Sequence, residues 1–292
     1  MTRFLQLLLG AVSPLLPALL AAGSGESAPE LVLEARSRLH EGVRESVLRW
    51  APSHTAVVVI DMWDDHWCRS AAARVVELAP AIDAVLQVAR ERGILIVHAP
   101  SSVTAFYEGA PQRALAQSAP EAELPVPLPP DRRWGTGWRW PDPEGEPQLP
   151  IDDTDMGCDC ESPCPIRAAW TRQIPAIRIE EGDALTDDGQ ELYNLFQHRD
   201  IRHVLVMGVH LNMCVLGRPT GIRQLLVFKR DVVLVRDLTD TMYNPRSSPR
   251  VSHFEGTRLV VEHVERHCCP SVLSACLTGQ PPFRFTAAPP GP

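Results

Sequence analysis

Lysine is almost absent from this chain of 292 residues. Lys229 is the only one, and all other members of the set of 28 basic residues are arginines. Acidic residues number 36, so the formal net charge is −8, and no basic patch stands out along the chain. A negative net charge without a basic patch argues against a nucleic-acid-binding protein. It also leaves a single candidate for any chemistry that needs an amine.

Long uninterrupted apolar runs are also missing. Residues 4–20 are mostly apolar, but Pro14 and Pro17 divide them, which disfavours a stable membrane-spanning helix. Arg3 precedes the run and small residues follow it at 21–24, an arrangement typical of a secretory signal. We therefore predict a signal peptide over residues 1–28 and an exported protein, periplasmic or secreted. The alternative is a membrane anchor formed by an uncleaved signal.

Cysteine is well represented, and an oxidising compartment would favour its pairing. The eight cysteines are Cys68, Cys158, Cys160, Cys164, Cys214, Cys268, Cys269 and Cys276. Three of them crowd into residues 158–164, where they could bind zinc, although the paired Cys-x-x-Cys spacing is missing. We predict one local disulfide there, with a further cysteine paired elsewhere, and a structural role for Cys268 and Cys269.

The rest of the chain predicts one α/β domain over residues 29–280. Short apolar runs predict strands at 55–60, 94–97, 176–179, 204–207, 231–235 and near 271–273. Helices are predicted at 71–92, 188–199, up to 228, and at 257–267, and residues 29–49 have helical spacing. The order predicts a parallel sheet of about six strands with right-handed crossovers. Residues 109–175 are predicted to be an ordered insertion over the active-site face, and the proline-rich residues 281–292 an unstructured tail.

Cys214 follows the predicted strand at 204–207 and precedes a helix-like stretch. The start of a helix offers unpaired N–H groups and the positive end of the dipole, which favour thiolate over thiol. We therefore interpret Cys214 as a nucleophile, with a buried structural cysteine as the alternative. Arg218, just after it, could pair with an acid or with an oligomer partner.

Polar residues also follow the first two predicted strands, at the edge where parallel sheets bind ligands. Asp61 comes directly after the first strand and would otherwise serve only to cap the next helix. His98 follows the second strand and is a candidate for the substrate pocket. Asp64 and His66 could join His98 around a divalent metal such as zinc. The alternative is that both histidines only form hydrogen bonds within the pocket, and no cofactor is then required.

Aromatic residues near these positions could wall the same pocket. Trp63 lies in the loop after the first strand, and Trp67, Trp134, Trp138 and Trp140 could line a flat or apolar site, although such residues are more often core. Tyr243 lies in the loop after the strand at 231–235, so it is a candidate for contact with a substrate.

Two segments carry a resemblance to a known family. They are the loop after Ile60, Asp61-Met-Trp-Asp-Asp-His-Trp-Cys68, and the segment Gly208-Val-His-Leu-Asn-Met-Cys-Val-Leu-Gly-Arg-Pro219. Together they resemble the isochorismatase-like cysteine hydrolase family, which includes nicotinamidases. The matching order covers about residues 54–275, apart from the insertion. The resemblance implies a three-layer Rossmann-like fold with a parallel sheet of about six strands, and commonly a homo-oligomer.

The resemblance also implies roles for particular residues. Cys214 corresponds to the nucleophile and Asp61 to the general base, with backbone N–H groups around Met213 and Cys214 as the oxyanion hole. The peptide bond before His210 matches a position that is often cis in the family. The family lysine, at the end of the third strand, has no counterpart, because Lys229 lies elsewhere.

Two arginines are the candidates to replace that lysine. Arg172 and Arg178 lie nearest the expected place in the sequence, but a guanidinium cannot exchange a proton near neutral pH. We predict an exported cysteine hydrolase that cleaves a C–N bond of a small molecule through a thioester-type intermediate. Ether cleavage of the isochorismate type is disfavoured, because that branch does not need this cysteine. The alternatives are a catalytically impaired member that binds a small molecule, and a metal-dependent variant.

Overall fold

The computed structural model describes residues 29–39, 42–126, 139–141 and 144–288. The predicted signal peptide, residues 1–28, lies outside these ranges, as do Trp134, Trp138 and the last four residues. The exported location and the homo-oligomer therefore stay predictions. In the part that is described, no helix is both long and apolar enough to cross a membrane.

The fold is built on one sheet of eight strands, flanked by helices. The strands are β1 (Leu31–Leu39), β2 (Gly42–Trp50), β3 (Thr55–Ile60), β4 (Leu95–Ala99), β5 (Ala184–Leu185), β6 (His203–Val209), β7 (Asp231–Asp240) and β8 (Ser271–Val272). The helices are α1 (Arg69–Glu91), α2 (Pro111–Gln117), α3 (Gly189–His198), α4 (Ile222–Val227), α5 (His253–His267) and α6 (Ala275–Thr278).

Six of the strands, β8-β7-β6-β3-β4-β5 in spatial order, are parallel. This confirms the predicted α/β class and its parallel sheet. Every residue of the central strand β3 is buried, as expected for a strand covered on both faces. Alternate residues of β3 enter two separate cores, one packed by α3, α4 and α5 and the other by α1 and α6. The molecule therefore has the predicted three layers.

The N-terminal segment is the main departure from the predicted elements. Residues 29–49 have helical spacing, but β1 and β2 instead pair as antiparallel strands, and β1 joins β8 at the edge of the sheet. Leu31, Leu33 and Ala35 are buried while the residues between them are exposed, which is the alternation of a half-buried strand. The prediction of a helix here was wrong because a short apolar pattern fits both periods.

The third parallel strand is also displaced. Residues 176–179 form turns and irregular chain, and the strand that pairs with β4 is the two-residue β5 at Ala184–Leu185. The apolar run at 176–179 therefore predicted this strand in the wrong place. The observed β5 has only two residues, too few for a recognisable apolar run.

The described parts of the insertion pack on the body of the domain. Glu146 is buried between Arg223 of α4, 2.6 Å away, and His263 of α5, 3.1 Å away. The insertion also reaches the segment around Cys214, because the Arg139 N–H donates to the Gly217 carbonyl. The contacts of Glu146 with Arg223 and His263 thus hold this segment against α4 and α5.

The chain after residue 280 was predicted to be unstructured, and the structure corrects this as far as residue 288. Phe283 and Phe285 pack against the core under α1. The Phe283 N–H donates to Asp237, and Thr286 is bound to Glu77. Two phenylalanines among the prolines supply enough apolar surface to dock this segment.

Candidate active site

The carboxyl ends of β3 and β6 lie side by side, since the two strands pair in parallel up to Ile60 and Gly208. Gly208 makes this approach possible. Its φ is +116°, and a Cβ there would lie 2.1 Å from the Ile60 carbonyl oxygen. Only glycine fits such a position. The close packing brings the residues that follow each strand, Asp61 and the segment with Cys214, to one point.

Asp61 is fully buried, and its backbone φ of 49° places it in the left-handed region that non-glycine residues rarely occupy. Its Oδ1 accepts a 2.6 Å hydrogen bond from the Ser101 N–H. The residue does not cap a helix, because α1 begins at the N-cap Cys68. The capping alternative is therefore removed, and Asp61 remains a buried carboxyl with one oxygen, Oδ2, outside hydrogen-bond geometry.

The cation beside Asp61 is Arg218. Its Nε lies 3.5 Å from Asp61 Oδ2, and only 18% of its side chain is exposed. Arg218 follows Cys214 by four residues, and its N–H donates to the Cys214 carbonyl, so both side chains share one helical face. Pairing with an acid was one of the two possibilities predicted for Arg218, and Asp61 is that acid.

The three groups shift one another's protonation. Burial raises the pKa of Asp61 above its ordinary value, while Arg218, the Cys214 thiol and Ser101 oppose the shift. Burial also raises the pKa of Cys214 well above the usual thiol value, and Asp61 raises it further, whereas Arg218 lowers it. The sequence suggested a thiolate. In the structure, burial and then Asp61 instead hold the pKa of the Cys214 thiol above its usual value, which favours the protonated form.

The Cys214 segment turns back directly after β6. Residues Leu211–Val215 form a single turn of π-helix, and the bond Val209–His210 is cis, as the family resemblance implied. The Met213 N–H already donates to the His210 carbonyl at 3.0 Å. One of the two predicted oxyanion donors, the Met213 N–H, therefore already has an acceptor within the turn. His210 itself is buried, and its Nε2 has no hydrogen-bond partner among the described residues.

Aromatic rings stack beside this site. Trp63 lies parallel to Trp170, with ring centroids 4.3 Å apart, and His66 stacks on Trp170 at 5.6 Å. The Trp63 indole donates to the Ser101 carbonyl, so it is tied to the chain that holds Asp61. Burial lowers the pKa of His66 to about 4, so this ring is neutral at physiological pH. The wall is therefore flat and uncharged.

The two arginines predicted to replace the family lysine lie elsewhere. Arg178 is bound to Asp83 of α1 at 2.9 Å. Arg172 is half exposed, lies 3.9 Å from Asp64 and covers the ring of Phe106. The expectation that one of them supplies the cation is corrected, because the fold places Arg218 against Asp61 instead.

His98 was predicted to line the pocket or to bind a metal, and the structure corrects both. The residue is fully buried in β4, with Nδ1 3.1 Å from Gln173 Oε1 and Nε2 3.0 Å from Asp183 Oδ2. Both ring nitrogens are thus occupied by protein partners. The alternative of an internally hydrogen-bonded histidine describes it correctly.

The other two predicted metal ligands do not converge on His98 either. Asp64 is bound to the Thr171 N–H at 2.8 Å and to its hydroxyl. His66 accepts at Nδ1 from the Cys68 N–H at 3.1 Å. Among the described residues these three side chains therefore form no common ligand set, and the predicted Asp64–His66–His98 metal site is not assembled.

Tyr243 has a structural place rather than a substrate contact. It is fully buried, and its hydroxyl donates to the Ser247 carbonyl and accepts from the N–H groups of Arg250 and Val251. With its ring enclosed, Tyr243 shapes the turn after β7.

A residue that the sequence did not single out anchors the Cys214 turn. Asn212 exchanges two hydrogen bonds with the backbone of Met242, and it donates to Asp153 of the insertion at 2.9 Å. An asparagine in this position gave no separate signal in the sequence, since its partners are 59 and 30 residues away. It connects the turn, the β7 loop and the insertion.

No family model and no curated protein matched the chain. Solved structures similar to it include a cysteine hydrolase from Pseudomonas syringae pv. phaseolicola 1448A, with 16% identity, 77% of this chain and 90% of that chain covered, and a TM-score of 0.46. Others are an isochorismatase family protein from Burkholderia thailandensis (14%, 78% and 95%, 0.43) and an isochorismatase from Pseudomonas putida KT2440 (14%, 77% and 91%, 0.45). At these low identities and TM-scores, the likeness assigns no function to this chain.

Proposed function

We propose that this chain is a cysteine-dependent hydrolase that cleaves a C–N bond of a small amide-like molecule. The observation that carries the proposal is the grouping of the buried Asp61 and Cys214 with the partly buried Arg218, where β3 and β6 end side by side. A thiol, a carboxyl with raised pKa and a cation beside it are the parts that nucleophilic catalysis needs.

The proposed reaction begins with the neutral thiol. As Cys214 Sγ attacks the carbonyl carbon, Asp61 Oδ2 takes the thiol proton, so no free thiolate has to exist in the resting state. Asp61 then gives this proton to the leaving nitrogen, the C–N bond breaks, and a thioester remains on Cys214. Water, deprotonated by Asp61, attacks the thioester and releases the acid and the thiol.

Arg218 acts on charge and does not move a proton in this scheme. Its guanidinium favours the ionised form of Asp61 and lowers the cost of negative charge on sulfur, as the opposing pKa effects indicate. It stays charged throughout, unlike the lysine of the resembled family. Asp61 therefore has to carry every proton by itself, and activity should fall as pH drops through its pKa.

The aromatic wall supports a flat or apolar substrate. Trp63 and Trp170 stack as a pair, and neutral His66 adds a third ring. Such a surface favours stacking with a planar amide or a ring.

The test is ammonia release from a panel of primary aliphatic and aromatic amides. We expect release by the wild type and none above background by Cys214→Ala, with Cys276→Ala, which changes a cysteine outside the site, as the matched control. Intact-protein mass after rapid quenching should show an acyl adduct that is missing in Cys214→Ala. Equal release by both proteins would remove Cys214 from the mechanism. No release from any amide, with a ligand-induced rise in Tm, would favour the binding-protein alternative.

A further inference from the structure

A second group of thiols lies beside the start of α1, away from Cys214. Cys68 is the N-cap of α1, and three more cysteines come from the insertion, Cys158, Cys160 and Cys164. All four are buried, although the insertion and α1 are far apart in the sequence. The catalytic scheme uses none of them.

The sulfur positions have the spacing of a metal site. Cys160 Sγ lies 3.8 Å from Cys68 Sγ and 3.5 Å from Cys164 Sγ, and the sulfurs of Cys68, Cys158 and Cys160 all lie within 4.8 Å of one another. Zinc bound tetrahedrally by thiolates at about 2.3 Å has ligand sulfurs about 3.8 Å apart. The sulfurs of Cys68, Cys158 and Cys160 therefore have the spacing of three zinc ligands, and Cys164, next to Cys160, is the candidate for the fourth.

The start of α1 places polar groups beside one of these sulfurs. Ser70 directs its N–H at Cys160 Sγ at 3.4 Å and its hydroxyl at the same atom at 3.1 Å. One N–H of the first turn of α1 thus points at the Cys160 sulfur, and N–H groups of this kind are the usual outer partners of zinc-bound thiolates.

The loop that carries the three insertion cysteines is also held from both sides. Asp159 is bound to Arg74 of α1 at 2.7 Å, and Arg246 donates to the carbonyl of Cys160 at 3.0 Å. These contacts fix the backbone from which the thiols project. Preorganisation of this sort lowers the cost of gathering four ligands.

We propose that Cys68, Cys158, Cys160 and Cys164 bind one structural zinc ion that fastens the insertion to the start of α1. Four protein thiolates fill the tetrahedron and leave no position for water or substrate, so the ion would stabilise the fold and take no part in hydrolysis. Binding releases the thiol protons, so affinity falls in acid. This replaces the expectation of a local disulfide, and it does not depend on the proposed hydrolase activity.

The first test is metal content of the purified full chain by mass spectrometry of the elements. We expect about one zinc per chain in the wild type, none in Cys160→Ser, and an unchanged value in the matched control Cys276→Ser. After chelation, refilling with Co²⁺ should give the intense visible bands of a tetrahedral cobalt–thiolate site. Equal zinc in Cys160→Ser and wild type would mean adventitious metal and overturn the proposal.

A second measurement uses only the wild type, in case Cys160→Ser does not fold. Maleimide labelling under native conditions, read by intact mass and peptide mapping, should spare the four cysteines until a chelator is added, without any reductant. Labelling that requires a reductant, with a mass lowered by two hydrogens per bond, would show disulfides and overturn the zinc site. Loss of amide hydrolysis alone would leave this result untouched.

Discussion

The ion pair between Asp61 and Arg218 permits a prediction that needs no substrate. At the observed 3.5 Å between Nε and Oδ2, two unit charges attract by about 5 kcal/mol at an effective dielectric constant of about 20. Desolvation offsets part of this, so we expect a coupling energy of about 2–4 kcal/mol in a double-mutant cycle. The perturbations are Asp61→Asn, Arg218→Gln and the two together.

The assay is the free energy of unfolding from urea titrations at pH 5 and pH 8. Since burial raises the pKa of Asp61 in the folded state, its contribution to stability is greatest below the unfolded pKa and is lost as pH rises through the folded value. Arg218→Gln removes the opposing cation and raises that pKa further. The variant should therefore be more strongly destabilised at pH 8 than at pH 5, whereas Asp61→Asn should gain stability relative to the wild type as pH rises.

The control is Arg172→Gln, which removes one of the two arginines that the sequence predicted as the cation of the site. Its coupling with Asp61→Asn should be below about 0.5 kcal/mol, because Arg172 is half exposed and lies against Asp64. Coupling of that small size for Arg218 as well, at both pH values, would refute the assignment of Arg218 as the cation of the site.

Three further predictions follow from the structure. Gly208→Ala should cost more than about 4 kcal/mol of unfolding free energy, because its Cβ would meet the Ile60 carbonyl at 2.1 Å, while Gly182→Ala, also at positive φ but with open space, should cost less; urea titration of both variants compares them. Glu146, whose pKa Arg223 and His263 hold at about 2 despite burial, should contribute stability above its unfolded pKa that is lost as pH falls toward 2. In Glu146→Gln, Tm should therefore fall less steeply as the pH is lowered. The same dependence of Tm on pH as in the wild type would contradict the interaction of Glu146 with Arg223 and His263. Tyr243→Phe should lower the unfolding free energy by about 1–3 kcal/mol, because two backbone N–H groups lose their acceptor, and should leave the KM of any amide substrate unchanged; a raised KM would restore Tyr243 as a substrate contact.

Much of the sheet could be predicted from local pattern. Strands buried on both faces are continuous apolar runs, so β3 was found at its observed bounds and β4, β6 and β7 within a few residues. Two short or edge elements were not. β5 has two residues, and the alternation of β1 is too brief to exclude a helix.

The sequence by itself determined where the central parallel strands run, and hence that Asp61 and Cys214 follow neighbouring strands. Only the tertiary structure decided which groups complete the site. An arginine side chain reaches several ångströms, so its partner depends on helix direction and packing, and Arg218 meets Asp61 where Arg172 and Arg178 do not. The same holds for the thiols, since Cys68 joins Cys160 across 92 residues through the packing of the insertion on α1. Local pattern records burial and period, whereas the meeting of distant side chains depends on the whole fold.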